Sequence, residues 1–180
     1  KLDRALEHLA IARSLDPMSM IIRHSPGYFL LWRFRLDEAE AHYRDAAQLG
    51  HKIRWSYHNL DFLNCFRGNW EEARRYARQL AEMEGYNPAA DLARIDAMEN
   101  PELRERALLQ LEQRSDIGDT VFGKALQYAV LQEHERALEI LEKAFQEGDS
   151  YMAEINYMKV FDPLRDNPRF QALLRNMNLL

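Results

Sequence analysis

The sequence predicts an all-α fold built from antiparallel helix pairs, and three observations support this prediction. The 180 residues include only seven glycines and six prolines, too few for the turns of an all-β fold. Leu, Ala, Glu, Arg and Gln are abundant, and these residues favour helices. A small–large–small pattern on one helical face recurs at intervals of 34 positions, which is typical of helical repeats.

Five alanines mark the repeat, and the first four are spaced by one full period each: Ala5, Ala39, Ala73, Ala107 and Ala137. The residues four and seven positions after each marker share its face, because an α-helix has 3.6 residues per turn. Four positions on stand Leu9, Tyr43, Ala77, Leu111 and Leu141. Seven positions on stand Ala12, Ala46, Leu80, Arg114 and Ala144. We therefore predict that each marker lies on the packing face of the second helix of a pair.

The register divides the chain into a half repeat, four helix pairs and a terminal segment. Residues 1–17 hold a second helix only, because too few residues precede Ala5 for a first helix. The remaining divisions are 18–50, 51–86, 87–116 and 117–148 for the pairs and 149–180 for a C-terminal capping segment. The buried face of that cap is predicted to be Phe170, Leu173, Leu174 and Met177. We expect about eleven helices and no strands.

The first helices carry a small residue followed three positions later by a bulky one. These are Gly27 and Leu30 in the first pair, and Ala125 and Tyr128 in the fourth. The second pair has Asp61 and Asn64 instead, so either the register shifts there or a polar pair enters the packing.

Signals for the ends of helices agree with these divisions. Asn-Pro pairs at 87–88, 100–101 and 167–168 place an N-cap before a proline at the first helical position. Gly50, Gly85 and Gly148 follow predicted helices, where a left-handed residue ends the helix. Gly68 is predicted to turn the chain within the second pair.

The 34-residue period with its small–large–small face resembles the tetratricopeptide repeat (TPR), which implies a right-handed α-solenoid. The tail "FDPLRDNPRFQALLRNMNL", preceded by "ALQYAVLQEHERALEILEKAFQEGD", is similar to a narrower group. Over roughly the final third of the chain it resembles the C-terminal TPR part of bacterial winged-helix transcriptional regulators and of related adenylate cyclases and Ser/Thr kinases. The resemblance implies a single TPR-like domain with an interaction or regulatory function, most simply in a transcriptional regulator.

TPR arrays bind peptides in a groove lined by their first helices, so the resemblance also implies a candidate partner site. Its residues would be His24, Tyr28, Trp55, His58, Asn59, Phe62 and Asp96, with Ile21 and Leu92 beside them. Aromatic side chains are effective binding anchors. Only Asn59 matches the family's clamp for acidic C-terminal peptides, so that ligand class is not expected. Packing between repeats is the competing interpretation of the same residues, and the sequence leaves it open.

Catalytic patterns are weak throughout, and we expect no enzyme, metal or cofactor. The stretch "GDTVFGKA" departs from a P-loop because Ala125 replaces the Ser or Thr that binds Mg²⁺. Carboxylate pairs such as Glu71 and Glu72 begin second helices, where they complement the helix dipole. Cys65 has no histidine at a recognised spacing. The rival to an interaction domain is a small-molecule or pH sensor built on the six histidines, with a response between pH 5 and 7.

Charge and hydropathy limit the partners. The net charge of −5 argues against direct nucleic-acid binding, although Arg67, Arg74, Arg75 and Arg78 form a basic cluster. No apolar run approaches the length of a membrane span. We expect a protein or peptide partner, with a homodimer left open, in the cytoplasm or, if a membrane span lies upstream, the periplasm. The half repeat after Lys1 suggests a piece of a longer chain.

Overall fold

The computed structural model describes residues 2–47, 54–114 and 120–180, and within them it contains ten α-helices, three 3₁₀ helices and no strand. The α-helices are α1 (Leu2–Leu15), α2 (Met20–Leu31), α3 (Leu36–Ala47), α4 (Arg54–Arg67), α5 (Trp70–Glu84), α6 (Ala89–Glu99), α7 (Arg104–Gln113), α8 (Val121–Val130), α9 (His134–Gln146) and α10 (Pro168–Asn176). The 3₁₀ helices are Pro101–Leu103, Ser150–Glu154 and Lys159–Leu164. The all-α prediction is confirmed for the described part of the chain.

The chain forms two compact units, Lys1–Pro88 with α1–α5 and Ala89–Leu180 with α6–α10. In the first unit α2 packs against α3, and α4 against α5. In the second unit α6 packs against α7, and α8 against α9. These are the four pairs predicted from the register. Their arrangement as one continuous TPR-like solenoid stays a prediction.

Contacts within the pairs run antiparallel. His24 in the first half of α2 lies against Tyr43 near the end of α3, with 5.1 Å between ring centroids. Arg54, the first residue of α4, pairs with Glu84, the last residue of α5, at 3.6 Å. At the opposite end of that pair the Asn69 backbone N–H donates to the Asn64 carbonyl.

The packing face of the second helix, which carries the marker alanine, is buried as predicted in the four complete pairs. Its buried members are Ala39, Tyr43, Ala46, Ala73, Ala77, Leu80, Ala107, Leu111, Ala137, Leu141 and Ala144. Arg114 is half-buried. It directly follows the last residue of α7 and pairs with the buried Asp91 at 2.8 Å. In α1 the corresponding Ala5, Leu9 and Ala12 are only half-buried. The half repeat therefore differs from every complete pair in how far its packing face is covered.

A polar pair does enter the packing of α4. Asp61 and Asn64 are both buried. The Asn64 side-chain amide donates to the Leu60 carbonyl one turn earlier at 2.7 Å, which meets part of its hydrogen-bonding requirement within the helix. The register is therefore retained in the second pair, with polar residues at positions that are apolar elsewhere.

The turns inside three pairs share one backbone geometry. Phe34, Gly68 and Gln132 each lie five positions before a marker alanine and have φ of 58°, 75° and 64°. The next residue closes the turn by donating its N–H to the carbonyl five positions earlier, as Glu133 does to Tyr128 at 2.9 Å. A left-handed residue with this bond ends a helix in the Schellman motif. The third pair differs, since the 3₁₀ helix Pro101–Leu103 occupies its turn.

Replacing Gln132 by glycine is expected to raise the free energy of unfolding by about 0.5–1 kcal/mol, because a residue with a Cβ is strained at positive φ and glycine is not. Gln132 is exposed, so little packing is lost. Gly68→Ala, at the equivalent turn, is expected to lower stability by about 1 kcal/mol. Urea unfolding followed by circular dichroism measures both, and a loss of stability in Gln132→Gly would contradict the strain argument.

Helix ends follow most of the predicted signals. Asn100 and Asn167 are N-caps whose side chains accept from the backbone N–H of Glu102 and Arg169. Helix α6 begins at Ala89, one position after Pro88, which was predicted to be its first residue. Gly85 and Gly148 have positive φ, as predicted. Gly50 lies outside the described residues.

The C-terminal segment packs on the last helix pair. Phe161 lies 6.1 Å from Phe122 of α8 and 6.5 Å from Phe170 of α10, measured between ring centroids. Phe170, Leu173 and Leu174 are buried as predicted, and Met177 is half-buried. Among the described helices, none is long and apolar enough to cross a membrane.

Candidate functional site

The candidate site begins with a histidine that joins two neighbouring first helices, α2 and α4. The His24 ring is 3.1 Å from the Ser56 hydroxyl through Nδ1 and 3.2 Å from the Asn59 side-chain amide through Nε2. One neutral tautomer satisfies both contacts: Nδ1–H donates to Ser56 Oγ, and Nε2 accepts from Asn59. His24 therefore fixes the position of α2 on α4.

The environment of His24 keeps its ring neutral. Its side chain is only 8% exposed and lies against the buried ring of Tyr43. Burial lowers the pKa of His24 to about 4, because the charged ring would lose its hydration. Burial also raises the pKa of Tyr43 well above its usual value. In the folded chain His24 consequently changes charge near pH 4, whereas its contribution to stability depends on pH between 6.5 and 4.

Two further predicted site residues are interior residues. Asn59 and Phe62 are buried on α4. The Phe62 ring lies 5.3 Å from Trp32 and 5.2 Å from His58, measured between centroids. His24, Asn59 and Phe62 therefore pack in the interior. The prediction that they are exposed in a groove is corrected. A partner has no access to them in this conformation.

The remaining predicted residues of the first unit reach the surface. Trp55, in the first turn of α4, is 50% exposed, and Ile21, in the first turn of α2, is 75% exposed. Tyr28 and His58 are half-buried on the same two helices. We call Ile21, Tyr28, Trp55 and His58 the first-helix surface. Whether it binds a partner stays a prediction.

The Trp55 ring is held in place by a charged neighbour. The Arg54 guanidinium lies 5.3 Å from the centroid of the ring, a distance at which a cation is attracted to the aromatic face. Arg54 also pairs with Glu84 on α5 at 3.6 Å. Since both Arg54 and Glu84 are partly exposed, the pair contributes orientation more than stability.

Asp96 lies on α6 in the second unit, where it is half-buried with Leu92. Neither residue is part of the first-helix surface, which belongs to the first unit. The partner role predicted for Asp96 stays a prediction.

The residues of the catalytic alternatives have structural roles in the described chain. Thr120 caps α8 by accepting from the Gly123 N–H at 2.9 Å, and Ala125 is buried inside that helix. Gly118, the first residue of the P-loop-like stretch, lies outside the described residues. Cys65 is buried on α4. Across residues 2–47, 54–114 and 120–180, no three His, Cys, Asp or Glu residues are grouped so that they could hold a metal.

The basic cluster is largely engaged with carboxylates. Arg67 pairs with Asp37 and Glu40 of α3. On α5, Arg74 pairs with Glu71 and Arg75 with Glu72, each three positions away. These pairs neutralise much of the charge that a phosphate backbone would require.

Sequence reasoning missed an exposed apolar group on α1 and in the turn that follows it. Ile11, Leu15 and Met18 are all exposed. One signal was available, because the residues that occupy the position of Ile11 in the four complete pairs are all polar: Asp45, Gln79, Gln113 and Lys143.

Comparison with known proteins adds no family to these observations. No protein-family model matches the chain, and no curated protein sequence is significantly similar to it.

Proposed function

We propose that the protein is a non-catalytic interaction domain of TPR-like helix pairs that binds a protein or peptide partner on its first-helix surface. One observation carries the proposal: Trp55 and Ile21 are at least half exposed on adjacent helices that His24 joins. Large exposed apolar side chains favour association, because covering them removes apolar area from water.

The chemistry of this surface fits a peptide or helix better than a small polar ligand. Trp55 offers a broad ring whose position Arg54 restrains, so binding costs little side-chain entropy. Tyr28 and His58 add half-buried aromatic side chains to the same surface. Tryptophan and tyrosine are enriched among residues that dominate binding energy.

The TPR-like assignment rests on the internal repeat. The buried packing face of the second helix recurs in all four complete pairs, and the left-handed turn recurs in three of them. The tail's similarity to TPR regions of bacterial signalling proteins supports a regulatory role, with a transcriptional regulator as the first choice and a cyclase or kinase as alternatives. In this proposal, partner binding alters the activity of an attached domain.

Trp55→Ala is expected to reduce the recovery of a specific partner at least tenfold, since truncating a central aromatic anchor costs about 2 kcal/mol or more of binding energy. Tyr28→Ala is expected to give a smaller reduction in the same direction. The measurement is affinity capture from bacterial lysate with the tagged chain, followed by quantitative mass spectrometry of the recovered proteins.

Leu109→Ala is the matched control, because Leu109 is 53% exposed on α7 of the second unit and lies outside the first-helix surface. Its partner recovery should equal that of the unmodified chain. Equal recovery by Trp55→Ala would remove the first-helix surface as the binding site.

A further inference from the structure

A proline divides helix α2 into two parts. Pro26 lies inside the helix and is buried. It has no backbone N–H to donate to the Ile22 carbonyl one turn earlier, and its ring crowds that carbonyl, so the helix bends most easily at this point. We call residues 20–25, which precede the proline, the α2 arm.

The part of α2 after the proline is fixed by close packing. A Cβ at Gly27 would lie 2.7 Å from Tyr43 Cε1 of α3, so these two helices are in close contact directly after Pro26. Where α2 ends, the Trp32 ring lies 5.3 Å from the Phe62 ring of α4, measured between centroids, and both residues are buried. This part of the helix therefore provides a fixed base on which the α2 arm can turn.

Arg23 holds the α2 arm on α3 only weakly. Its guanidinium donates to Asp45 at 3.2 Å, and because both side chains are partly exposed this ion pair contributes little. Asp45 also accepts from Arg13 of α1 at 3.0 Å. Movement of Arg23 therefore leaves the Asp45 carboxylate paired.

The contact of the α2 arm with α4 depends on a neutral histidine. Among the described residues, the His24 side chain bonds only with Ser56 and Asn59, which do not titrate. Helices α1, α3 and α4 all pack on α2. On α3, burial raises the pKa of Tyr43, so the ring against His24 stays neutral, and the Asp45 carboxylate is paired with Arg13 of α1. The ionisable side chains on this part of α4 form no hydrogen bond or ion pair with the His24 ring: Arg54, Tyr57, His58 and Asp61.

Protonation of His24 favours movement of the α2 arm away from α4. Burial alone lowers the pKa of His24 to about 4, and a ring hydrated by opening of the arm has the ordinary value of 6.5. The open arm therefore binds a proton more tightly, and a fall in pH favours it. Between pH 7 and pH 5 these two pKa values raise the ratio of open to closed arm about twentyfold.

We infer that the α2 arm is a hinged segment, held on α4 by neutral His24, and that its release in mildly acidic solution moves Ile21 away from Trp55. The inference rests on the proposed function, because Ile21 and Trp55 are the two most exposed residues of the first-helix surface. After release, a partner that contacts Trp55 loses its contact with Ile21. Partner binding is therefore stronger at pH 7 than at pH 5.

Double electron–electron resonance measures the movement without a partner. Spin labels are attached to Ile21→Cys and Glu82→Cys, which are exposed on α2 and α5, in a chain whose native thiol is removed by Cys65→Ala. We expect one distance population at pH 7 and a second, longer one whose ratio to the first rises about twentyfold at pH 5. Ala41→Cys with Glu82→Cys is the matched control, because Ala41 is exposed on α3 outside the arm, and its distance is expected to stay constant.

Two variants identify the contact and the hinge separately. His24→Gln keeps a neutral side chain that can donate and accept, so the same distances are expected at pH 7 and pH 5. Pro26→Ala restores the N–H that bonds the Ile22 carbonyl, so its arm is expected to open less at pH 5 than that of the unmodified helix. Circular dichroism at both pH values verifies that each variant is folded.

The effect on binding is measured by repeating the lysate capture at pH 7 and pH 5 with the original chain and with His24→Gln. Recovery of the proteins that depend on Trp55 is expected to fall at least fivefold at pH 5 for the original chain and to fall less for His24→Gln. Any pH dependence of the partner itself is common to both chains and cancels. If no recovered protein depends on Trp55, the proposed function fails, whereas the label distances still decide whether the arm moves.

Three results would overturn the inference. The first is the same distance distribution at pH 7 and pH 5 in the chain that retains His24 and Pro26. The second is an equal change in His24→Gln, which would assign the movement to another group. The third is an equal fall in partner recovery for the original chain and His24→Gln, which would separate the arm from binding. Equal opening by Pro26→Ala would remove the hinge from Pro26.

Discussion

Gly27→Ala is expected to lower the free energy of unfolding by about 2–3 kcal/mol, although alanine is the better helix former by about 1 kcal/mol. A Cβ at this position would lie 2.7 Å from Tyr43 Cε1 and 3.0 Å from the Ala39 carbonyl oxygen. Tyr43 is buried against His24, and the carbonyl belongs to the backbone of α3, so neither moves away easily. The two helices must separate, and the packing between them weakens. Urea unfolding followed by circular dichroism measures the loss.

The variant pair Gly27→Ala and Tyr43→Leu tests the cause of that loss. If the clash with the tyrosine ring dominates, the double variant is expected to lose less stability than the two single changes added together, because the shorter side chain admits the methyl group. Ala125→Gly, at the corresponding position of α8, is the matched control and should cost about 1–2 kcal/mol, from helix propensity and the loss of a buried methyl group. A Gly27→Ala protein whose stability stays within about 0.5 kcal/mol of the original, the usual range of an unstrained surface change, would show that the helices adjust without strain.

The close approach at Gly27 was predictable because it is repeated. A small residue recurs at the same place in α2 and α8, and small residues at fixed spacing indicate where another backbone comes near. The identity of the opposing group was not predictable. That it is Tyr43, whose hydroxyl is buried without a hydrogen-bond partner among the described residues, depends on how far α3 rotates against α2.

The candidate site shows where periodicity stops being informative. Trp55 and Phe62 are seven positions apart on α4 and therefore share a face, yet one is half exposed and the other is fully buried. The difference arises from position along the helix, since Phe62 lies beneath Trp32 from the end of α2. A helical wheel contains no such information, because it gives direction around the axis and not what covers each turn.

The turns show a related limit. Gly68 indicated a left-handed residue in the sequence, because glycine adopts positive φ without strain. Phe34 and Gln132 adopt the same conformation with no local signal. Only alignment on the marker alanines relates the three positions, so tertiary packing of the pair imposes the turn on whichever residue occupies it.

Acidification from pH 7 to pH 4.5 is expected to destabilise the protein by about 2–3 kcal/mol through His24 alone. The pKa of His24 is about 4 in the folded chain and 6.5 as the ordinary value, so the unfolded chain binds more protons between these limits. Stability therefore falls as pH falls through 6.5 and stops falling from this cause below 4. Protonation would also turn Nε2 into a donor facing the Asn59 amide donor, which removes a contact between α2 and α4.

The His24→Gln variant isolates this contribution, because its side chain does not titrate. Burial lowers the pKa of His42 as well, and the positive charge of Arg13 lowers it further. His42 therefore adds acid sensitivity in the same direction. It does so equally in both proteins and cancels in the comparison. Urea unfolding of the two proteins is measured at pH 7, 6, 5 and 4.5. As the pH falls, the His24→Gln variant should become more stable relative to the original chain. A difference that stays constant across this range would mean that His24 is hydrated or already paired with a charge, and the account of α2 and α4 as helices joined by a neutral histidine would be wrong.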